Sequence, residues 1–248
     1  MESTNSKLKS GMACPAKNFS LIENLWPEKH FRGPLRGPDS YFVRVPPHYL
    51  AHHANYTRCR RKVYIDVGAR SFLSGGMLDM FLIYPPVALF DEFYAFESQS
   101  GFYSLPSPKA LHQKLHNVMP RHRIDAFRDR HFYFQSYVRA ESDPNSVPPT
   151  LGLSSLLATA LRITKEDMVV AKIDVEGDEY DLVDRMDLDG TLELVDEMMI
   201  EVHYNHSTMN RMFKWCRTPQ PWCSKSRHDA LRLLTRLRRR GVYAHYWP

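Results

Sequence analysis

Beyond Arg61 the chain alternates short apolar runs with stretches whose apolar residues recur at helical spacing, the pattern of a mainly parallel sheet covered on both faces. The runs predict strands KVYIDV (62–67), FYAFE (93–97), HFYFQSYV (131–138), MVVAKIDV (168–175), EMMIEVHY (197–204) and VYAHYWP at the carboxyl end. The helical spacing predicts helices over about 75–84, 107–117, 151–162, 177–186 and 226–240, joined to the strands by right-handed crossovers. ESDPNSVPPT (141–150) holds too many prolines for either element and reads as a surface loop. Residues 1–60 are rich in Pro, His, Arg and aromatics and show no sustained period. They read as an irregular amino-terminal arm, and 61–248 as one α/β, doubly wound domain.

Composition agrees with a soluble globular chain. At 248 residues and 43% hydrophobic content there is enough apolar material for a continuous core. No run approaches the roughly eighteen apolar residues of a membrane helix. The most apolar stretch, 77–96, is interrupted by Asp79, Pro85, Pro86, Asp91 and Glu92. The first residues, MESTNSKLKSGMAC, lack the apolar stretch of a signal peptide, so a cytoplasmic protein is the default, with a lumenal fragment of a longer chain as the alternative. Cys14, Cys59, Cys216 and Cys223 are too scattered for a disulfide framework or zinc knuckles. Cys216 and Cys223 can pair locally in an oxidising compartment and are otherwise free thiols in a loop. Asn18, Asn55 and Asn205 each begin an N-x-Ser/Thr triplet, which has meaning only in a secretory context. The net charge of +5 is spread along the chain. Its densest run, RLRRRG (236–241), lies on a helix whose Leu231, Leu234 and Leu237 face inward, so these arginines read as a solvated face. Without an RNP pattern, a nucleic-acid partner is not expected.

The candidate chemistry sits where strands end. IDVGARSFLSGG (65–76) brings Asp66 and Gly68 to the turn into a helix, where backbone can approach a ligand closely. It lacks G-x-G-x-x-G, which argues against a dinucleotide phosphate cradle. Glu97, at the tip of the second strand, is placed to accept hydrogen bonds from both hydroxyls of a ribose, although alone it reads equally as a surface acid. Gln135, Ser136 and Tyr137 end the third strand and are the polar candidates for an adenine edge. The fourth ends in KIDVEGDEY (172–180) and the fifth in EVHY (201–204). Strand alternation puts Asp174 and Glu176 on one face, and Glu201 and His203 likewise. Glu176 doubles as a candidate cap for the helix near Gly177, and Glu179, already on that helix, reads as a solvated or helix-dipole acid.

The order IDVGA, FYAFE, KIDVEGDEY, IEVHY and GVYAHYWP resembles the FkbM-type S-adenosylmethionine-dependent methyltransferases, especially plant and algal relatives of unassigned substrate, over residues 60–248. The resemblance implies a class I methyltransferase sheet that binds S-adenosylmethionine over the carboxyl ends of its first four strands. It implies that Asp66, Gly68, Ala69 and Arg70 line the methionine and ribose portion, that Glu97 holds the ribose hydroxyls with Ser136 nearby, and that Asp174 faces the sulfonium. The turn departs from the family in Arg70-Ser71 and a delayed Gly75-Gly76, and the connection to Glu97 carries Pro85-Pro86. Transfer to oxygen needs a base, for which His203 and Glu176 are the candidates. His203 reads equally as a structural histidine. No metal is expected: the acids read as neutralised by Lys172 and nearby arginines, and a divalent cation held by Asp174, Glu176, Glu201 and His203 is the less favoured alternative. The long loop at 205–223, with Trp215, Arg217 and Trp222, offers an apolar and cationic wall to a small-molecule or glycan acceptor, or else packs on the amino-terminal arm. The competing reading is a catalytically inactive binding or scaffold protein on the same fold.

Overall fold

The computed structural model describes Leu50 and residues 56–73, 77–205, 210, 216, 218 and 220–247. The predicted amino-terminal arm therefore lies mostly outside the described residues, as do Gly75, Gly76, Trp215 and Arg217. In chain order the strands are β1 (Lys62–Val67), β2 (Glu92–Phe96), β3 (His131–Phe134), β4 (Tyr137–Arg139), β5 (Thr150–Gly152), β6 (Met168–Ile173), β7 (Glu197–Ile200) and β8 (Tyr243–Tyr246). Six of them form one sheet, ordered β3-β2-β1-β6-β7-β8, with every neighbouring pair parallel. This is a doubly wound, Rossmann-like arrangement, and its order reverses between β1 and β6. The crevice beyond their carboxyl ends is the natural place for a ligand.

Alternation along the strands feeds two apolar layers. Val63, Ile65 and Val67 of β1 join Val169, Ala171 and Ile173 of β6 on one face. That face is covered by α5 (Glu179–Leu188) and α6 (Arg227–Arg239), through Leu182, Val183, Met186, Leu233, Leu234 and Leu237. The other face carries Tyr64, Phe93, Ala95, Met168 and Val170, under α1 (Met77–Ile83) and α2 (Pro108–Leu115). There Phe81 and Phe127 meet Phe93 with ring centroids 5.3 and 5.0 Å apart. Both faces of a parallel sheet are thus buried, which explains why β6 is apolar at nearly every position. The remaining helical pieces are short: α3 (Arg121–Asp125), and α4 (Leu153–Ser155), which runs into a π turn at Leu156–Ala160. No helix among the described residues is long and apolar enough to cross a membrane.

Two expectations change and a third gains detail. The run HFYFQSYV is two strands: after Phe134 the chain leaves the large sheet, and β4 pairs with β5 in a separate two-stranded parallel ribbon. The switch is made at Ser136, whose N–H donates to Glu97 O (3.2 Å), and at Tyr137, whose N–H donates to Pro149 O (3.0 Å). The predicted helix over 151–162 is partly strand, since β5 runs through Gly152. The RLRRRG run forms a solvent-exposed face as expected, Arg239 and Arg240 being exposed, and three of its arginines are paired as well. Arg236 and Arg240 pair with Asp184 and Asp187 of α5, and Arg238 donates twice to Ala244 O (2.9 and 2.6 Å).

Candidate functional site

The turn after β1 builds the first wall of the crevice. Gly68, at φ +72°, and Ala69 both donate their N–H groups to Phe96 O at 3.0 Å, which laces β1 to the end of β2. A Cβ on Gly68 would stand 1.9 Å from Asp174 O, so only glycine lets the β1 and β6 ends approach this closely. Arg70 continues the turn at φ +52° and donates its N–H to Glu97 Oε2 (2.9 Å), while Gln99 N–H donates to Glu97 Oε1 (2.7 Å). Glu97 is therefore held rigidly by backbone on two sides. Oε1 also takes a long bond from Ser98 Oγ (3.5 Å), Oε2 keeps a second lone pair, and the residue lines the cleft.

That cleft has a volume of about 660 Å³, and its walls include Gly68, Arg70, Glu97, Ser136, Asp174 and Trp222. The size lies within the range of roughly 300–1,000 Å³ common to small-molecule and cofactor sites. Ser136 is 4% exposed, and its Oγ has no hydrogen-bond partner among the described residues. Leaving a buried hydroxyl unpaired costs about 1–3 kcal/mol, so its place on the cleft wall suits a ligand's polar atom. Aromatic surface on the cleft wall comes from Phe102 and Tyr137, both exposed.

The acids of KIDVEGDEY and EVHY divide into two groups. In the first, Lys172 Nζ, only 1% exposed, donates to Gly68 O (2.7 Å) and Asp174 Oδ2 (3.3 Å) and lies 3.6 Å from Asp66 Oδ1. Burial pushes the Asp66 carboxyl up to about 6, with Lys172 pulling the other way. In the second, His203 is buried between carboxylates: Nδ1 lies 2.8 Å from Glu179 Oε1, and Nε2 lies 3.3 Å from Glu176 Oε2 and 3.8 Å from Glu201 Oε1. Burial works against charging His203, but its bonds to Glu176 and Glu179 win and hold the imidazolium up to about 11. The bond to His203 in turn holds Glu176 below the usual carboxylate range, whereas burial, followed by the Asp174 charge, pushes Glu201 up to about 8.

The sequence-predicted residues distribute unevenly over this geometry. Gly68, Arg70, Glu97, Ser136, Asp174 and Glu176 all line the cleft. Asp66 and Ala69 do not; both are fully buried beneath it, Asp66 beside Lys172 and Ala69 in the aromatic layer. Gln135 is exposed and outside the cleft walls. Glu201 and His203 sit behind Glu176 rather than on the wall itself.

Two readings are corrected. Glu176 does not cap α5, which starts at Glu179 behind Asp178; Glu176 instead adopts φ +54° and turns to His203. Glu179 is not solvated. It is 0% exposed, and its Oε1 gathers the N–H groups of Gly177 (3.0 Å) and Val175 (3.3 Å) as well as the imidazole. The signal was present in the sequence, because Glu179, Leu182, Val183 and Met186 fall at i, i+3, i+4 and i+7, on the buried stripe of α5.

From the long loop, Trp222 packs directly over Gly177, and its ring lies 5.4 Å from that of His203. The described part of the loop thus closes the acidic end of the cleft. Cys216 and Cys223 are bonded, with Cα atoms 5.7 Å apart, and clamp the short segment that carries Trp222. Cys59 is also in a disulfide. No family model, no curated protein and no solved structure matches this chain.

Proposed function

We propose that this chain is an S-adenosylmethionine-dependent methyltransferase that transfers a methyl group to oxygen. The observation that carries the reading is Glu97: a carboxylate at the tip of β2, locked by the N–H groups of Arg70 and Gln99, on the wall of a nucleoside-sized cleft at the switch point of the sheet. Such a carboxylate is suited to a vicinal diol, because its oxygens are pre-aimed and cost nothing to organise. The residues present fit the cofactor. Glu97 takes the ribose hydroxyls, Ser136 Oγ supplies an unspent hydrogen bond at the base end, and Arg70 and Asp174 flank the methionine portion. When bound, S-adenosylmethionine supplies an electrophilic methyl group on a sulfonium.

The chain's own work is to orient the acceptor and manage its proton. The carboxylates around His203 favour its imidazolium, which makes it a poor base, and Glu176 is the acid of this group that lies on the cleft wall, placed to meet the acceptor hydroxyl. The aromatic surfaces of Trp222, Tyr137 and Phe102 offer packing area to a small-molecule or glycan acceptor.

Thermal unfolding with S-adenosylmethionine and S-adenosylhomocysteine tests this. A ligand at about a hundred times its Kd adds roughly 2.7 kcal/mol, or about 5–10 °C for a domain of this size. Glu97→Gln and Glu97→Ala should remove most of that shift while remaining folded. No shift at millimolar ligand would instead favour the inactive scaffold.

A further inference from the structure

The acidic end of the cleft has a composition that a nucleoside cofactor does not account for. Asp174, Glu176 and His203 each offer one ligand atom, and these atoms lie within 4.8 Å of one another. They come from two neighbouring strand ends, after β6 and β7, so the grouping is produced by the sheet and not by one flexible loop. Glu201 adds a fourth candidate ligand atom, an oxygen 3.8 Å from His203 Nε2.

Two separate features point to a missing positive charge. Among the described residues, the acids Asp66, Asp174, Glu176, Glu179 and Glu201 share this region with Lys172 and His203 as the contacting cations. Lys172 is spent on Asp66, Asp174 and a carbonyl. Carboxylate oxygens also remain unpaired out of water: Glu179 is wholly buried yet its Oε2 has no hydrogen-bond partner among the described residues, and Asp174 Oδ1 is sealed and unpartnered in the same way. Buried anionic oxygens in excess are expensive unless a cation meets them. The imidazole is also presented as ligation requires, since Glu179 occupies Nδ1 and leaves Nε2 turned to Glu176 and Glu201, the carboxylate–histidine arrangement that orients ligand rings at metal centres.

We infer that Asp174, Glu176 and His203 hold one divalent cation at the acceptor end of the cleft, with Glu201 beside it and Glu179 fixing the imidazole. Two carboxylate oxygens and one imidazole nitrogen suit Mn²⁺, with Mg²⁺ binding more weakly. The cation takes the place of the Nε2 proton. Three protein ligands leave coordination positions open, as in catalytic rather than structural sites. Resting on the methyltransferase reading, the inference deepens it: the acceptor would be a hydroxyl whose oxygen joins the cation and loses its proton more readily.

The test is titration of the full chain with Mn²⁺, followed by calorimetry and by the loss of the free-ion paramagnetic resonance signal, without cofactor. One site is expected. Glu176→Gln, on a side chain that is 83% exposed and so safe for folding, should weaken Mn²⁺ binding at least tenfold, as should Asp174→Asn. Asp181→Asn, exposed on α5, should leave it unchanged. Folded protein that takes up no Mn²⁺ at millimolar concentration, or that binds it equally well in Glu176→Gln, overturns the site. Cofactor binding is measured separately: S-adenosylmethionine bound without Mn²⁺ sinks the cation site alone, and Mn²⁺ bound without S-adenosylmethionine upholds the site while sinking the methyltransferase reading.

Discussion

Replacing Gly177 by alanine tests whether Trp222 is truly seated on the turn that presents Glu176. Gly177 has φ +109°, and an added Cβ would stand 1.9 Å from Trp222 Cδ1 and 2.6 Å from Nε1. Carbon atoms prefer about 3.5–4.0 Å, so the indole must retreat by roughly 1.5 Å or more. Backbone strain at such a φ contributes about 1–3 kcal/mol. Partial unseating of a tryptophan that is 6% exposed adds to this, bounded by the ~3–5 kcal/mol of deleting a large aromatic side chain. A loss of about 2–5 kcal/mol follows, or roughly 5–15 °C in Tm for a domain of this length. Gly190→Ala is the control: its φ is +71°, but no atom lies within 4 Å of the new Cβ, so only the backbone part, about 1–2 kcal/mol, should appear. Urea unfolding of the two variants beside the parent chain gives both numbers. Equal midpoints for Gly177→Ala and Gly190→Ala would refute the packing of Trp222 on this turn, and with it the closure of the acidic end.

Two further outcomes follow from the buried charges and the loop clamp. Glu201 rises from its ordinary 4.5 to about 8, and His203 from 6.5 to about 11. For both groups a raised folded value means stability that is complete below the unfolded value and is lost as pH climbs through the folded one. Urea midpoints should therefore fall between pH 5.5 and 9, by up to about 1.4 kcal/mol per pH unit for each such group, and Glu201→Gln should flatten the part below pH 8. A parent chain that gains stability over this range, or a variant with the same slope, contradicts the assignment. Replacing Cys216 and Cys223 by serine opens a loop whose closure is worth about 2.5 kcal/mol by chain entropy. Thiol mapping of the unreduced chain should find Cys59, Cys216 and Cys223 all blocked; a free thiol at Cys216 or Cys223 would remove the clamp from the account.

Much of the fold was legible because its signal is local. β1 is Lys62–Val67 as the alternation predicts, and α6 stays close to its amphipathic pattern, with Ser226 and Asp229 forming a reciprocal cap at its start. Errors arose where burial outlasts pairing. β7 ends at Ile200, yet Val202 and Tyr204 remain buried beyond it, so the apolar pattern ran on after the ladder had stopped. The split of HFYFQSYV had no turn residue to announce it, since the break is made by Ser136 bonding to Glu97 rather than by local geometry. The short α3 and the single turns at Pro85–Leu89 and Thr191–Leu194 are too brief to show a period.

The site was legible in its membership and not in its pairings. Glu97, Gly68 and Asp174 stand at strand ends, and a parallel sheet brings strand ends to one rim whatever the side chains do. Which acid meets which cation depends on side-chain reach across strands, which the order of residues does not encode. Lys172 lies opposite Asp66 in the β1–β6 register and so is committed to the first group of acids. His203 stands among Glu176, Glu179 and Glu201. A carboxylate on the polar face of a helix says little, but Glu179, at a stripe position beside Leu182, Val183 and Met186, must be buried, and a buried carboxylate must have found a donor. In this chain the donors are two backbone N–H groups and an imidazole, so the residue that reads as the least interesting of the acids holds both the Val175–Gly177 turn and the ring of His203 in place.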